Sequence, residues 1–156
     1  MQPENSGSSP EITCSDLFDT TGADVTFISS DFVLFKMQST HLSLNSVGFV
    51  QAGEHIIAAE PVALEESSQV LEILFQFIEP PPESRNFRHP EVDDIMIDLF
   101  FELAEAAEKY IVYAAVGVCL ARMKQLLEEY PFEVLNHCAR HGHPDLADRA
   151  AEITIS

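Results

Sequence analysis

Positive charge is scarce in this chain. Eight Lys and Arg stand against 26 Asp and Glu, a formal charge of −18 over 156 residues. The acidity is spread along the sequence and does not form a tail. Such a field repels phosphate backbones, so direct nucleic-acid binding is not expected, and it disfavours anionic membrane surfaces. Basic partners are the ones it steers inward. Cysteine is equally sparse. Cys14, Cys119 and Cys138 make an odd count with no CxxC spacing, so a disulfide framework is not expected. Reduced thiols fit a cytoplasmic or nuclear setting. The first residues lack the basic and apolar segments of a secretory signal, and no run of about 18 residues is long, apolar and uncharged enough to span a membrane. No GxSxG, phosphate-binding loop, GxGxxG or HExxH occurs. These absences lead to the expectation of a non-enzyme that needs no cofactor.

Apolar material is not lacking. Hydrophobic residues make up 46% of the chain, enough for one domain with a real core. Residues 1–15, rich in Ser, Pro, Gly and Glu, read as a flexible arm, with Asp16, Leu17 and Phe18 as a short docking turn. From Asp24, Val25 and Phe27 alternate with Thr26 and Ile28, a strand signal. Ser29, Ser30 and Asp31 supply turn chemistry, and the apolar run 32–35 completes a hairpin. Ser39 or Thr40 can cap a helix carrying Leu42 and Leu44. Residues 53–60 read as a loop or weak segment, and 62–64 as a third short strand.

The second half reads as helical. Ser67 and Ser68 precede a stripe of Val70, Leu71, Leu74, Phe75 and Ile78, which Pro80, Pro81 and Pro82 end. Residues 80–90 form a loop holding Arg85 and Arg88, the one dense basic spot. The spacing predicts a helix over 91–110, with Asp98, Glu102, Glu105 and Glu108 on a solvent face and Met96 among the core residues opposite. Another helix is predicted over 112–128. Two shorter ones begin at Pro131 and Pro144, with Gly142 as a left-handed cap between them. The whole is an α+β arrangement: a small, mostly three-stranded sheet on a helical bundle over 16–128, followed by a C-terminal helical hairpin over 129–156 packed on it.

Several clusters invite chemistry. His137 and His141 stand i, i+4 on one helix, with Cys138 between them and His143 beyond Gly142. That spacing can share a metal, but no fourth ligand is evident, and helix-end histidines beside a buried Cys138 are the plainer reading. Asp93–Asp94 and Glu128–Glu129 read as solvating helix ends. Cys119, among Val116, Val118 and Leu120, reads as packing.

The order of elements and several motifs resemble the BTB/POZ family over residues 20–150. Asp24–Val25 resembles its first-strand opening. Phe35, Leu42, Ser46 and Phe49 fall at the spacing of its F-x-x-H-x-x-x-L-x-x-x-S-x-x-F signature. "PVALEES", "SSQVLEILFQFIE", "ELAEAAEKY" and "FEVLNHCARHGHPDLADRAA" resemble its third strand, the helix after it, its helix ending in Lys-Tyr and a trailing helical pair. The bearing resembles BTB-only proteins of mushroom-forming fungi. Gln38 stands where the family usually has His and Ser39 where Lys or Arg commonly follows, so Asp24 keeps the acid of a charged pocket without its base. The long N-terminal helix of swapped family dimers is absent or very short.

The resemblance implies a protein–protein interaction module that self-associates or recruits a partner. It implies a homodimer face of Leu42, Leu44 and Phe49 with the strand edge near Val25. The alternative is an adaptor for a cullin-type ubiquitin ligase docking through Phe77, Ile78 and Glu79, although Phe77 and Ile78 also read as core. The least expected reading is a metal-dependent enzyme centred on His137 and His141.

Overall fold

The structure is a computed structural model and describes residues 7–19, 21–49, 60–79 and 89–156. The expected segment 53–60, save Glu60, and the basic pair Arg85 and Arg88 lie outside the described residues. The fold is α+β. Among the described residues a small mixed sheet of β1 (Thr13–Asp19), β2 (Val25–Ile28), β3 (Val33–Met37) and β4 (Val62–Ala63) packs with six helices. These are α1 (Ser39–Asn45), α2 (Ser68–Phe75), α3 (Ile97–Lys109), α4 (Tyr113–Gln125), α5 (Pro131–His141) and α6 (Pro144–Ile155). No helix among them is long and apolar enough to cross a membrane.

The sheet order is β1-β3-β2-β4. β2 and β3 form the expected antiparallel hairpin, with Phe27 opposite Phe35 and Val25 opposite Met37. Those four side chains are buried, so the period-2 signal marks one inward face. β4 joins the other side of β2 in parallel. The first strand is a departure from the sequence reading. It starts at Thr13, inside the stretch expected as an arm, and runs parallel to β3. Its register shifts between Cys14 and Asp19, so Ser15 and Phe18 point inward at a spacing of three. A bulged strand carries no clean alternation, which is why these residues read as a turn.

Phe75 on α2 is the centre of the core. Its ring lies 5.3 Å from Phe35, 5.5 Å from Phe27, 5.7 Å from Phe49 and 5.9 Å from Phe18. Phe49 also stacks on Tyr110 at 4.1 Å. Beside this contact Gly48 donates its N–H to the Tyr110 carbonyl (2.8 Å). A Cβ on Gly48 would meet the Tyr110 Cα at 2.6 Å, so only glycine allows the two backbones to approach.

Two aspartates fasten helices to the ends of the hairpin. Asp24 accepts from the Ser39 N–H (2.7 Å) and hydroxyl (2.5 Å) at the start of α1. Asp31 accepts from the Ser68 N–H (2.7 Å) and hydroxyl (2.5 Å) at the start of α2. Each carboxylate fills a capping role from a residue just outside β2, and for α1 it does so where the sequence suggests Ser39 or Thr40 as a local cap. Within α2, Ser67 accepts from Val70 as expected.

The helix predicted from residue 91 begins at Ile97. The buried Arg122 guanidinium donates to the carbonyls of Val92 and, at 3.0 Å, Ile95, and lies over the Phe100 ring at 4.5 Å. Carbonyls held by a side chain in this way favour a turn over a first helical turn. Met96, expected in the core, flanks the helix start and is exposed. At the C-terminal hairpin the reading holds closely. Pro131 and Pro144 occupy first turns, and Gly142 is left-handed with φ 77°.

Candidate functional site

α3 carries Asp98, Glu102 and Glu105 at helical spacing, with Glu108 three residues on. The sequence reading gave all four to solvent. The structure instead sets α5 across part of this face. A groove of about 870 Å³ follows α3, bounded on one side by α5 and on the other by the start of α2 and the loop before it. Among the described residues its carboxylates are Glu65, Glu66, Asp98, Glu102, Glu105 and Glu133, against the cations Lys109 and Arg140. Val70, Phe101 and Ala106 supply apolar surface within it.

One end of the groove is tied by the Lys-Tyr pair. Lys109 donates to Glu66 (2.7 Å) and Glu65 (3.2 Å), and the Tyr110 hydroxyl lies 2.7 Å from Glu66 Oε2. Burial raises the Tyr110 pKa and the Glu66 carboxylate raises it further, so the phenol stays protonated.

The opposite end holds the histidines. His137, 3% exposed, presents Nδ1 to Glu105 Oε1 at 2.9 Å and Nε2 toward Glu108 Oε1 at 3.6 Å. His141 Nε2 lies 2.8 Å from Glu105 Oε2, and Arg140 donates to Glu105 Oε1 at 2.8 Å. His143 reaches back to Glu108 through Nε2. The left-handed Gly142 makes that return possible, with the His143 N–H donating to the Cys138 carbonyl (2.8 Å). Burial lowers the His137 pKa despite the neighbouring carboxylates. Burial also raises that of Glu105, but hydrogen bonds from His141 and His137 outweigh it and hold the carboxyl below its ordinary range.

His137 and His141 therefore share one face of α5, as their spacing predicts, and Glu105, Glu108 and His143 join them. Two overlapping triads result, Glu105–His137–His141 and Glu108–His137–His143, each with ligand atoms within 4.8 Å of one another. The signal for this was present in the sequence as Glu105 and Glu108 at i, i+3 and His137 and His141 at i, i+4. Their facing one another is tertiary information.

Most of the residues expected to make a docking face are internal. Val25, Leu42 and Phe49 are buried in the core, and β2 is an interior strand. Leu44 alone of that set is on the surface, at 79% exposure. Phe77 is also buried. Glu79 turns inward: its Oε1 accepts from the Gln38 N–H (2.9 Å) and its Oε2 lies 2.7 Å from His41 Nδ1. A carboxylate there satisfies the start of α1 and suits the helix dipole, so the expected cullin-facing triplet is spent on the fold. Cys119 is packed as expected, and burial pushes its thiol up to about 12; burial raises Cys138 to about 11. Neither supplies a thiolate at neutral pH.

No known family model matches this chain, and a search of curated proteins finds no significant match.

Proposed function

We propose that this chain is a protein-interaction module of BTB/POZ type that recruits a partner by taking a basic, partly apolar segment into the groove along α3. The observation that carries the reading is the groove's lining among the described residues, six carboxylates against two cations around an apolar floor. Apolar surface gives affinity, while a one-signed rim gives steering and selects a cationic partner. The chain's charge of −18 acts in the same direction at longer range. The family reading is supported by the order of elements after β1: a strand hairpin, a short helix, the parallel strand β4 and then helices ending in a hairpin. Self-association is a second reading, favoured by the exposed Leu44 on α1.

Fluorescence anisotropy tests the groove. A labelled peptide alternating Lys or Arg with Leu binds, and an acidic peptide of the same length does not. Binding weakens as ionic strength rises. The double change Glu102→Gln/Glu133→Gln weakens it further without altering the fold. A basic peptide that fails to bind at low salt, or binds equally well to the double variant, removes the groove as the docking site.

A further inference from the structure

We propose that Glu108, His137 and His143 form a binding site for a zinc-class divalent metal, with Glu105 positioning the His137 imidazole. This goes beyond the docking reading and concerns the cluster behind the end of the groove.

The two nitrogens of His137 have different surroundings. Nδ1 lies 2.9 Å from Glu105 Oε1, an ordinary hydrogen-bond distance, so it carries the proton and donates. That leaves a lone pair on Nε2. The atom it faces is Glu108 Oε1, another acceptor, at 3.6 Å. Two acceptors facing each other at this separation call for a cation between them. It could be a second proton on the ring, but 3.6 Å is longer than an N–H···O hydrogen bond. It could be a metal. With ligand bonds of about 2.0–2.2 Å, an ion between the two atoms fits a gap of this size. His143 Nε2 reaches the same Glu108 oxygen, and all three ligand atoms lie within 4.8 Å of one another.

The surroundings match what metal-binding histidines need. A carboxylate hydrogen-bonded to the far nitrogen fixes tautomer and orientation, and Glu105 does this for His137. Glu105 is itself held by Arg140 and His141. The competing triad, Glu105–His137–His141, is the poorer site. Its carboxylate already takes hydrogen bonds on both oxygens from three side chains. Two imidazole nitrogens and one carboxylate are borderline ligands that suit zinc over calcium or magnesium. The ligands come from α3, α5 and the residue capping α6, so a bound ion would fasten the C-terminal hairpin to the core helix.

The test is zinc uptake by untagged protein in competition with a chromogenic chelator, together with the visible spectrum after cobalt substitution. Wild type takes up one equivalent and gives the absorption of a four- or five-coordinate cobalt site. Glu108→Gln and His143→Asn abolish both; asparagine suits the helix-capping position, so the second variant keeps its fold. Glu105→Gln lowers zinc affinity by about 10- to 100-fold. Circular dichroism verifies the fold of each variant. Absence of uptake by wild type overturns the proposal. So does uptake that survives Glu108→Gln in a folded protein, or that depends on His141→Asn as strongly as on His143→Asn.

Discussion

Where β2, β3 and α2 meet, Phe18, Phe27, Phe35 and Phe49 surround Phe75. Where α3 meets α5, three imidazoles and two carboxylates face each other instead. The first contact is held by area and shape: aromatic burial is non-directional and tolerates several pair geometries. The second depends on protons and on the identity of single atoms, because a carboxylate and an imidazole hold each other only in compatible protonation states. Both regions lie in one small domain, but only the second has chemistry left over after folding is accounted for. The polar atoms at the hairpin end are spent: Asp24, Asp31 and Glu79 all satisfy helix starts. The side chains with chemistry to spare therefore lie at the α3–α5 seam and not in the hairpin.

The largest effect that separates the two regions is truncation at the aromatic centre. Phe75→Ala leaves a cavity touching several rings and costs about 3–5 kcal/mol. At the polar seam Arg140→Ala removes a partly exposed ion pair and costs below about 1 kcal/mol. Urea denaturation of both variants checks the contrast. Equal losses would mean that the seam is as important to folding as the core.

How much of this was legible in the sequence follows from the same contrast. Alternation at Val25 and Phe27, the stripe from Val70 to Ile78 and the Pro-to-Gly punctuation of the last two helices are local signals, and they gave the α+β class and most elements. Strand β1 was hidden because its register shift breaks alternation. The helix start near residue 91 was misplaced because Arg122, some thirty residues on, holds the carbonyls there. Apolar residues look alike whether they face a core or a partner, so Val25, Leu42 and Phe49 suggest a dimer face, and Phe77 suggests either a separate docking triplet or core, although all four are buried. Glu105 and Glu108 were given to solvent because a helix face is acidic in the same way whether water or an imidazole lies opposite.

A middle-sized effect tests the aspartate clamps. Asp24→Ala and Asp31→Ala each remove two hydrogen bonds from a helix start and cost about 1 kcal/mol. Hydrogen bonds from Ser39 hold the Asp24 carboxyl below its ordinary 3.8, and those at Asp31, mainly from Ser68, do the same against the opposing effect of burial. A depressed folded pKa contributes stability that is fully present above 3.8 and is lost as pH falls through the folded value. Acid melts of wild type therefore show an extra loss below that pH which Asp24→Ala lacks. Parallel curves for the two proteins would show that the Asp24 clamp contributes nothing.

The smallest expected effect on stability carries the most information about self-association. Leu44 is 79% exposed on α1, so Leu44→Gln changes stability by no more than about 0.5 kcal/mol. Its buried helix neighbour Leu42 supplies the contrast, since truncating it would damage the core and confuse folding with binding. If α1 is where two copies meet, an exposed leucine at the centre of the contact is worth far more in the assembly than in the monomer. Light scattering at tens of micromolar then shows a dimer for the wild type and a monomer for Leu44→Gln at unchanged melting temperature. A wild type that is monomeric at that concentration removes self-association through α1 and leaves the acidic groove as the one proposed contact surface still standing.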